Sequence, residues 1–178
     1  MFGECCPMVV PKVLMRSSFV TQTSNDAKQT LLADGEPQTI QFNVVSVPDI
    51  TMEVNLTTGE FTDIKAFYGM ASISVSCLRE LTGAGNIDWG VFLEGYTEQT
   101  GWTAYEGSLR PITLNTQTTN EKRTIDFTLA VEIEAGAKFR WRHYTSDASK
   151  TVSIVSFASA NGLPSSAGVI FSLWGVKP

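Results

Sequence analysis

Thr124-Ile125-Asp126-Phe127-Thr128-Leu129-Ala130-Val131-Glu132-Ile133 alternates apolar with polar or small side chains without a break. Successive side chains of an extended strand project to opposite faces, so Ile125, Phe127, Leu129, Val131 and Ile133 share one face. A helix would scatter these five around its circumference. The stretch therefore predicts a half-buried strand, closed by Gly136. Downstream, Phe139 and Trp141 continue the pattern opposite Lys138, Arg140 and Arg142, and Val152, Ile154 and Phe157 form another run. The last run, Val169 to Val176, is nearly continuously apolar. Such a strand needs cover on both faces; the expectation is its own core on one side and a second subunit on the other.

Upstream the same period recurs. Ile40, Phe42 and Val44 share a face before Pro48, which cannot donate to a ladder. Ile50, Met52, Val54 and Leu56 resume it, and Thr57-Thr58-Gly59 makes a turn. Ala71, Ile73, Val75 and Cys77 share a face of a longer strand, and Trp89, Val91 and Leu93 one of the next. A polar loop carrying Trp102 and Tyr105 follows, then a Thr-rich edge strand from Pro111 to Thr119. About eight to ten short strands with no helix between them predict an all-β fold, an antiparallel sandwich or barrel, over residues 37–178.

Residues 1–36 show no sustained alternation and are expected to form an N-terminal arm. Within it Ser24-Asn25-Asp26 fits the cap of a short helix over residues 25–32, terminated by Gly35. Its apolar residues Phe2, Val9, Val10, Leu14 and Phe19 are the candidate anchoring contacts.

The chain has 178 residues, 43% of them hydrophobic, enough for one domain with a sizeable core. Its thirteen Lys and Arg are dispersed and the formal charge is -5, which leaves no basic footprint for nucleic acid. Cys5, Cys6 and Cys77 are odd in number and two are adjacent, so free thiols are expected. Glu4, Pro7, Pro11, Lys12 and Arg16 interrupt the apolar core that a secretory signal requires, and no stretch is long and apolar enough for a membrane helix. The expectation is a soluble, unprocessed chain made in a cytoplasm.

Chemistry-bearing patterns are sparse. His143 is the single histidine, so a triad or a two-histidine metal site would have to be built around it. No spacing supplies an orienting partner, and an ordinary strand position is expected. Zinc spacings, a phosphate loop and a Gly-x-Ser-x-Gly elbow are absent from the sequence. No enzymatic activity and no cofactor or metal are expected. Asp126, Glu132 and Glu134 share a polar face that offers oxygens for a calcium site or a carboxylate pair for glycoside chemistry, but a solvated face paired with Lys138, Arg140 and Arg142 on the next strand is the expectation. That basic strand with Trp141 and Tyr144 also has the makings of a single-strand stacking surface, although alternation turns Trp141 away from the arginines. Asn55-Leu56-Thr57 matches a glycosylation triplet, frequent by chance. Trp102 and Tyr105 are the candidate recognition loop, because exposed aromatics favour contacts.

Asn55-Leu56-Thr57-Thr58-Gly59-Glu60-Phe61, then Phe67-Tyr68-Gly69 with Ile73 and Val75, resembles the opening of the tumour-necrosis-factor-like and complement globular-head jelly rolls. The Phe127 to Phe139 stretch resembles their strand, turn and strand, and Val169-Ile170-Phe171-Ser172-Leu173-Trp174 their closing strand. The order is Phe-Tyr-Gly where that family has Gly-x-Tyr, and Ala137 stands where it has Asp. The resemblance implies a ten-strand jelly roll forming a homotrimer, with first and last strands near the axis. Ile40, Phe42, Phe171 and Trp174 are then the candidate trimer interface. Small phage decoration proteins and fibre knobs resemble this family too.

The function expected from these readings is that of a virion structural protein, a bacteriophage capsid decoration or cement protein. It would trimerise and dock on the major capsid protein through its arm, at the capsid surface. The alternatives are a receptor- or glycan-binding knob of a fibre or tail, meeting a host surface receptor through Trp102, and a single-jelly-roll capsid shell protein. The shell reading ranks lower because the arm is not basic.

Overall fold

A computed structural model describes residues 12–19, 27–31, 36–47, 52–62, 65–80, 85–115, 121–147, 149–159 and 161–176. The described residues are all-β, without a helix, in two antiparallel sheets. The first sheet draws on β1 (Lys12–Phe19), β2 (Ala27–Thr30), β4 (Val44–Val47), β7 (Phe67–Arg79), β11 (Glu121–Ile133), β13 (Val152–Ser156) and β14 (Val169–Val176). The second contains β3 (Gln38–Thr39), β5 (Glu53–Val54), β6 (Glu60–Thr62), β8 (Ile87–Thr97), β9 (Gly101–Ala104), β10 (Arg110–Leu114) and β12 (Lys138–Thr145).

In the first sheet β4, β1, β14, β7 and β11 lie side by side; β13 also pairs β7, beyond β14, and carries β2. In the second, β5, β6, β12, β8 and β10 lie in that order, with β3 on β12 and β9 on β8. β7 and β11 pair along their whole length, from Phe67↔Ile133 to Arg79↔Glu121. No strand pairs the opposite edge of β11 among the described residues.

The sheets pack as a sandwich because each presents one apolar face. From the first come Ala71, Ile73, Val75, Val169, Phe171 and Leu173; from the second Phe61, Trp89, Val91, Leu93, Phe139 and Trp141, all buried. An aromatic cluster joins them: Phe171 lies 4.9 Å from Phe61, 6.0 Å from both Phe139 and Trp141, and 6.3 Å from Phe42. Phe61 and Phe139 stack at 4.5 Å, and Phe127 meets Trp141 edge-on at 5.4 Å. At one end the buried Arg79 donates to the carbonyls of Leu114 and Gly85, tying the sheets together.

The turn before β6 explains one quoted motif. Asn55 Oδ1 accepts the backbone N–H groups of Thr57 and Thr58, and Gly59 follows at φ +73°. A Cβ there would stand 2.2 Å from the Ile40 carbonyl oxygen, so only glycine fits, and Phe61 is thereby aimed into the core.

One expectation about the first 36 residues is corrected. The helix over residues 25–32 is replaced by β2, whose Ala27–Thr30 pairs with Ser156–Ser153. A helix of about eight residues is marginal alone, whereas the edge of β13 offers backbone partners, a Thr30–Ser153 hydroxyl contact at 2.9 Å, and Leu31 a buried site. The segment expected to form the arm also supplies β1, which pairs with β14 on one side and β4 on the other. Leu14 and Phe19 belong to that strand, while Phe2, Val9 and Val10 lie outside the described residues.

Candidate functional site

The expected trimer-interface set divides. Ile40, Phe42 and Phe171 are at most 1% exposed within a single chain, so they are core residues and have no surface to offer a neighbour. Trp174, by contrast, is 46% exposed. On β14 Val169, Phe171 and Leu173 face the core while Ile170 and Ser172 are only half covered, so the closing strand has cover of its own on one face.

Trp174 pairs with Met70 across β14 and β7, and Tyr68 lies two residues along from Met70; Met70 and Tyr68 are each about half exposed. These three form an apolar patch on the outer face of the first sheet. Beside it lie Ser72, Ser74 and Ser172, with Thr128 donating to Ser72 at 3.2 Å. The result is a flat surface of short side chains with an apolar end. Tyr68 also bonds Glu132, and that bond and charge raise the phenol's pKa. Tyr68 and Met70 were missed in the sequence, although parity signals them: they share a face with Ser72, Ser74 and Ser76, opposite the core set.

The carboxylates and cations are not paired as expected. β11 and β12 belong to different sheets, so the turn at Gly136 is an arch between layers, and Glu132 and Glu134 do not pair with the arginines. Instead Glu94 of β8 accepts Arg140 Nε at 2.7 Å and Arg142 Nη1 at 3.3 Å, with Glu60 3.7 Å from Arg140. Trp141 is fully buried behind them.

Trp102 is likewise not on an open loop. It sits on β9, paired with Tyr96 of β8, with the Arg140 guanidinium 4.0 Å from its ring centroid and Tyr96 at 5.4 Å. This stack holds the indole half-buried. Tyr105, the other recognition candidate, is 50% exposed and follows β9 directly.

His143 is 1% exposed, and its Nδ1 accepts the Trp89 indole N–H at 3.4 Å. Burial, with a smaller contribution from Arg142, pushes its pKa down to about 3. An unfolded chain takes up this proton below about pH 6.5 and the folded one refuses it. Its contribution to stability is therefore complete above that pH and is lost on acidification, by about 1.4 kcal/mol per pH unit. Urea titrations between pH 7 and 5 are expected to show that slope in the native protein and a flatter one in His143→Phe; equal slopes would contradict it. Cys77, the free thiol among the described residues, is buried, and its pKa is raised to about 12 by burial. No group of three or more potential metal ligands occurs among the described residues.

Fold and surfaces together define an antiparallel β-sandwich with an uncovered apolar patch on one sheet and an ion-paired, aromatic face on the other. Neither a protein-family model nor a curated protein sequence matches the chain.

Proposed function

We propose that the chain is a self-assembling jelly-roll subunit of a virion, a homotrimeric decoration protein of the capsid surface. The observation that carries the assembly is the Tyr68–Met70–Trp174 patch on the first sheet. Apolar side chains half exposed side by side gain free energy when a neighbour covers them, about 25 cal/mol per Å². Five strands about 4.8 Å apart make a face about 24 Å wide, and the eight residues of β14 run about 26 Å along it, so about 620 Å² is on offer, about three quarters of the roughly 800 Å² that a subunit buries in a standard interface. The strand orders β4-β1-β14-β7-β11 and β5-β6-β12-β8-β10, with the first strand beside the last, support the jelly-roll reading.

The virion setting rests on the resemblance to small phage proteins. Docking on the capsid through the N-terminal segment is retained only for residues 1–11, since deleting 36 residues would also remove two strands of the first sheet. Light scattering is expected to give about three times 19.4 kDa for the native protein, and a folded monomer for the Met70→Glu, Trp174→Glu double variant. A native monomer would sink the assembly. Antibody labelling of virions by negative stain tests the location: label on the capsid supports decoration, label on the tail favours the receptor knob, and unlabelled virions refute both.

A further inference from the structure

We propose that the concave surface formed by Phe92, Tyr105, Leu109 and Tyr144 binds a neutral sugar ring, as part of an oligosaccharide. It lies on the outer face of the second sheet and depends on no feature of the assembly patch, which is on the first.

The floor is made by strand parity and one glycine. Phe92 and Tyr144 project outward because Val91, Leu93 and His143 project into the core. Tyr144 pairs with Gly90 across β12 and β8, and a Cβ on Gly90 would fall 2.6 Å from the Tyr144 ring. The absent side chain lets the phenol lie over the β8 backbone, with Phe92 edge-on at 6.5 Å.

The wall is fixed before any ligand arrives. Tyr105 N–H donates to the Leu93 carbonyl at 2.8 Å, and the buried Ser108 hydroxyl donates to the Tyr105 carbonyl at 2.6 Å while accepting Leu93 N–H at 3.1 Å. Arg110 donates to the carbonyls of Gly107 and Leu109 from the other side. The Tyr105–Leu109 turn is thus stapled to β8, and Tyr105 and Leu109 remain 50% and 45% exposed in their places. A site held in its bound shape loses little entropy on binding.

The chemistry selects the occupant. The cavity, about 430 Å³, is walled mainly by apolar side chains, and Glu106 stands on its rim. A pyranose has an apolar C–H face for the aromatic floor and hydroxyls for the carboxylate and the phenols. A purely aliphatic side chain would leave those polar groups unpaired, at a cost. No Lys or Arg is among the lining residues described, and Asp88 is close enough to help raise the Tyr144 pKa, after burial, so an anionic ligand is disfavoured. Tyr105 and Ala104 also line a second cleft of about 390 Å³, with Thr103, Glu134 and Lys138, whose opposite charges leave it without a single-sign field. A chain of sugars crossing Tyr105 can occupy both.

Saturation-transfer NMR on the full chain tests this with maltohexaose, cellohexaose, mannohexaose and chitohexaose, a heparin hexasaccharide as the anionic probe and octaproline as the peptide probe. The expected result is transfer to at least one neutral hexasaccharide. It should weaken about tenfold or more in Tyr105→Ala and in Tyr144→Ala, and be unchanged in Lys28→Ala, at an exposed position of β2 on the opposite sheet. Tyr105→Phe, which keeps the ring and removes the hydroxyl, should fall between. Silence from all four neutral probes overturns the assignment, as do binding that survives Tyr105→Ala and a preference for heparin or octaproline.

Discussion

Phe171→Ala is expected to lower the unfolding free energy by about 3–5 kcal/mol, the range for truncating a buried aromatic side chain. Phe171 is fully buried and touches all four of Phe42, Phe61, Phe139 and Trp141, contributed by the opposite sheet and the segment after β3. Alanine would leave a cavity where the two sheets meet, and neighbours anchored in separate strands cannot collapse into it. Domain stabilities are about 5–15 kcal/mol, so the variant stands near the limit of folding. Urea unfolding should show the loss with the subunit mass unchanged. A preserved midpoint with dissociated subunits would return Phe171 to an interface.

Glu94→Ala is expected to cost about 3 kcal/mol, although it deletes a polar residue from an outer face. The Glu94, Arg140 and Arg142 side chains are only 14–17% exposed, and one carboxylate serves both guanidinium groups. Burial already lowers the Arg142 pKa, an effect that Glu94 opposes. Arg142 also donates to the Pro37 carbonyl, and its Nε has no partner among the described residues. Removing the carboxylate leaves two neighbouring cations poorly solvated, which costs far more than loss of an exposed pair at about 0–1 kcal/mol. Glu94→Gln, which keeps an acceptor without the charge, should lie between. A loss below about 1 kcal/mol in Glu94→Ala would show that water solvates the arginines.

How much of this was legible in the sequence depended on distance along the chain. The alternation at Ile125–Ile133 located β11, and that at Phe139 and Trp141 the buried face of β12, because strand parity is local. Partner choice is not local. The Gly136 turn reads as a hairpin, yet it passes the chain from sheet to sheet, and the charge pairing inferred from sequence neighbours failed with it. β1 escaped because its register shifts between Val13 and Met15, which interrupts period two. Ile40, Phe42 and Phe171 are apolar whether they face a core or a neighbour, so their alternation could not choose between the two and the family resemblance placed them at an interface. Trp102 looked available because the sequence does not reveal that Arg140 and Tyr96 converge on it. The Phe92–Tyr144 floor was hidden for a similar reason: it needs the cross-strand meeting of Tyr144 with a glycine 54 positions earlier in the chain.

The pairing of β1 with β14 also sets the timing of biosynthesis. A ribosome adding about 5–20 residues per second releases Lys12–Phe19 many seconds before Val169–Val176 exists. Until then β1, and β7 once it has been made, each wait with an open backbone edge for the strand that will lie between them. The nascent chain must be kept from other chains until its last strand is translated.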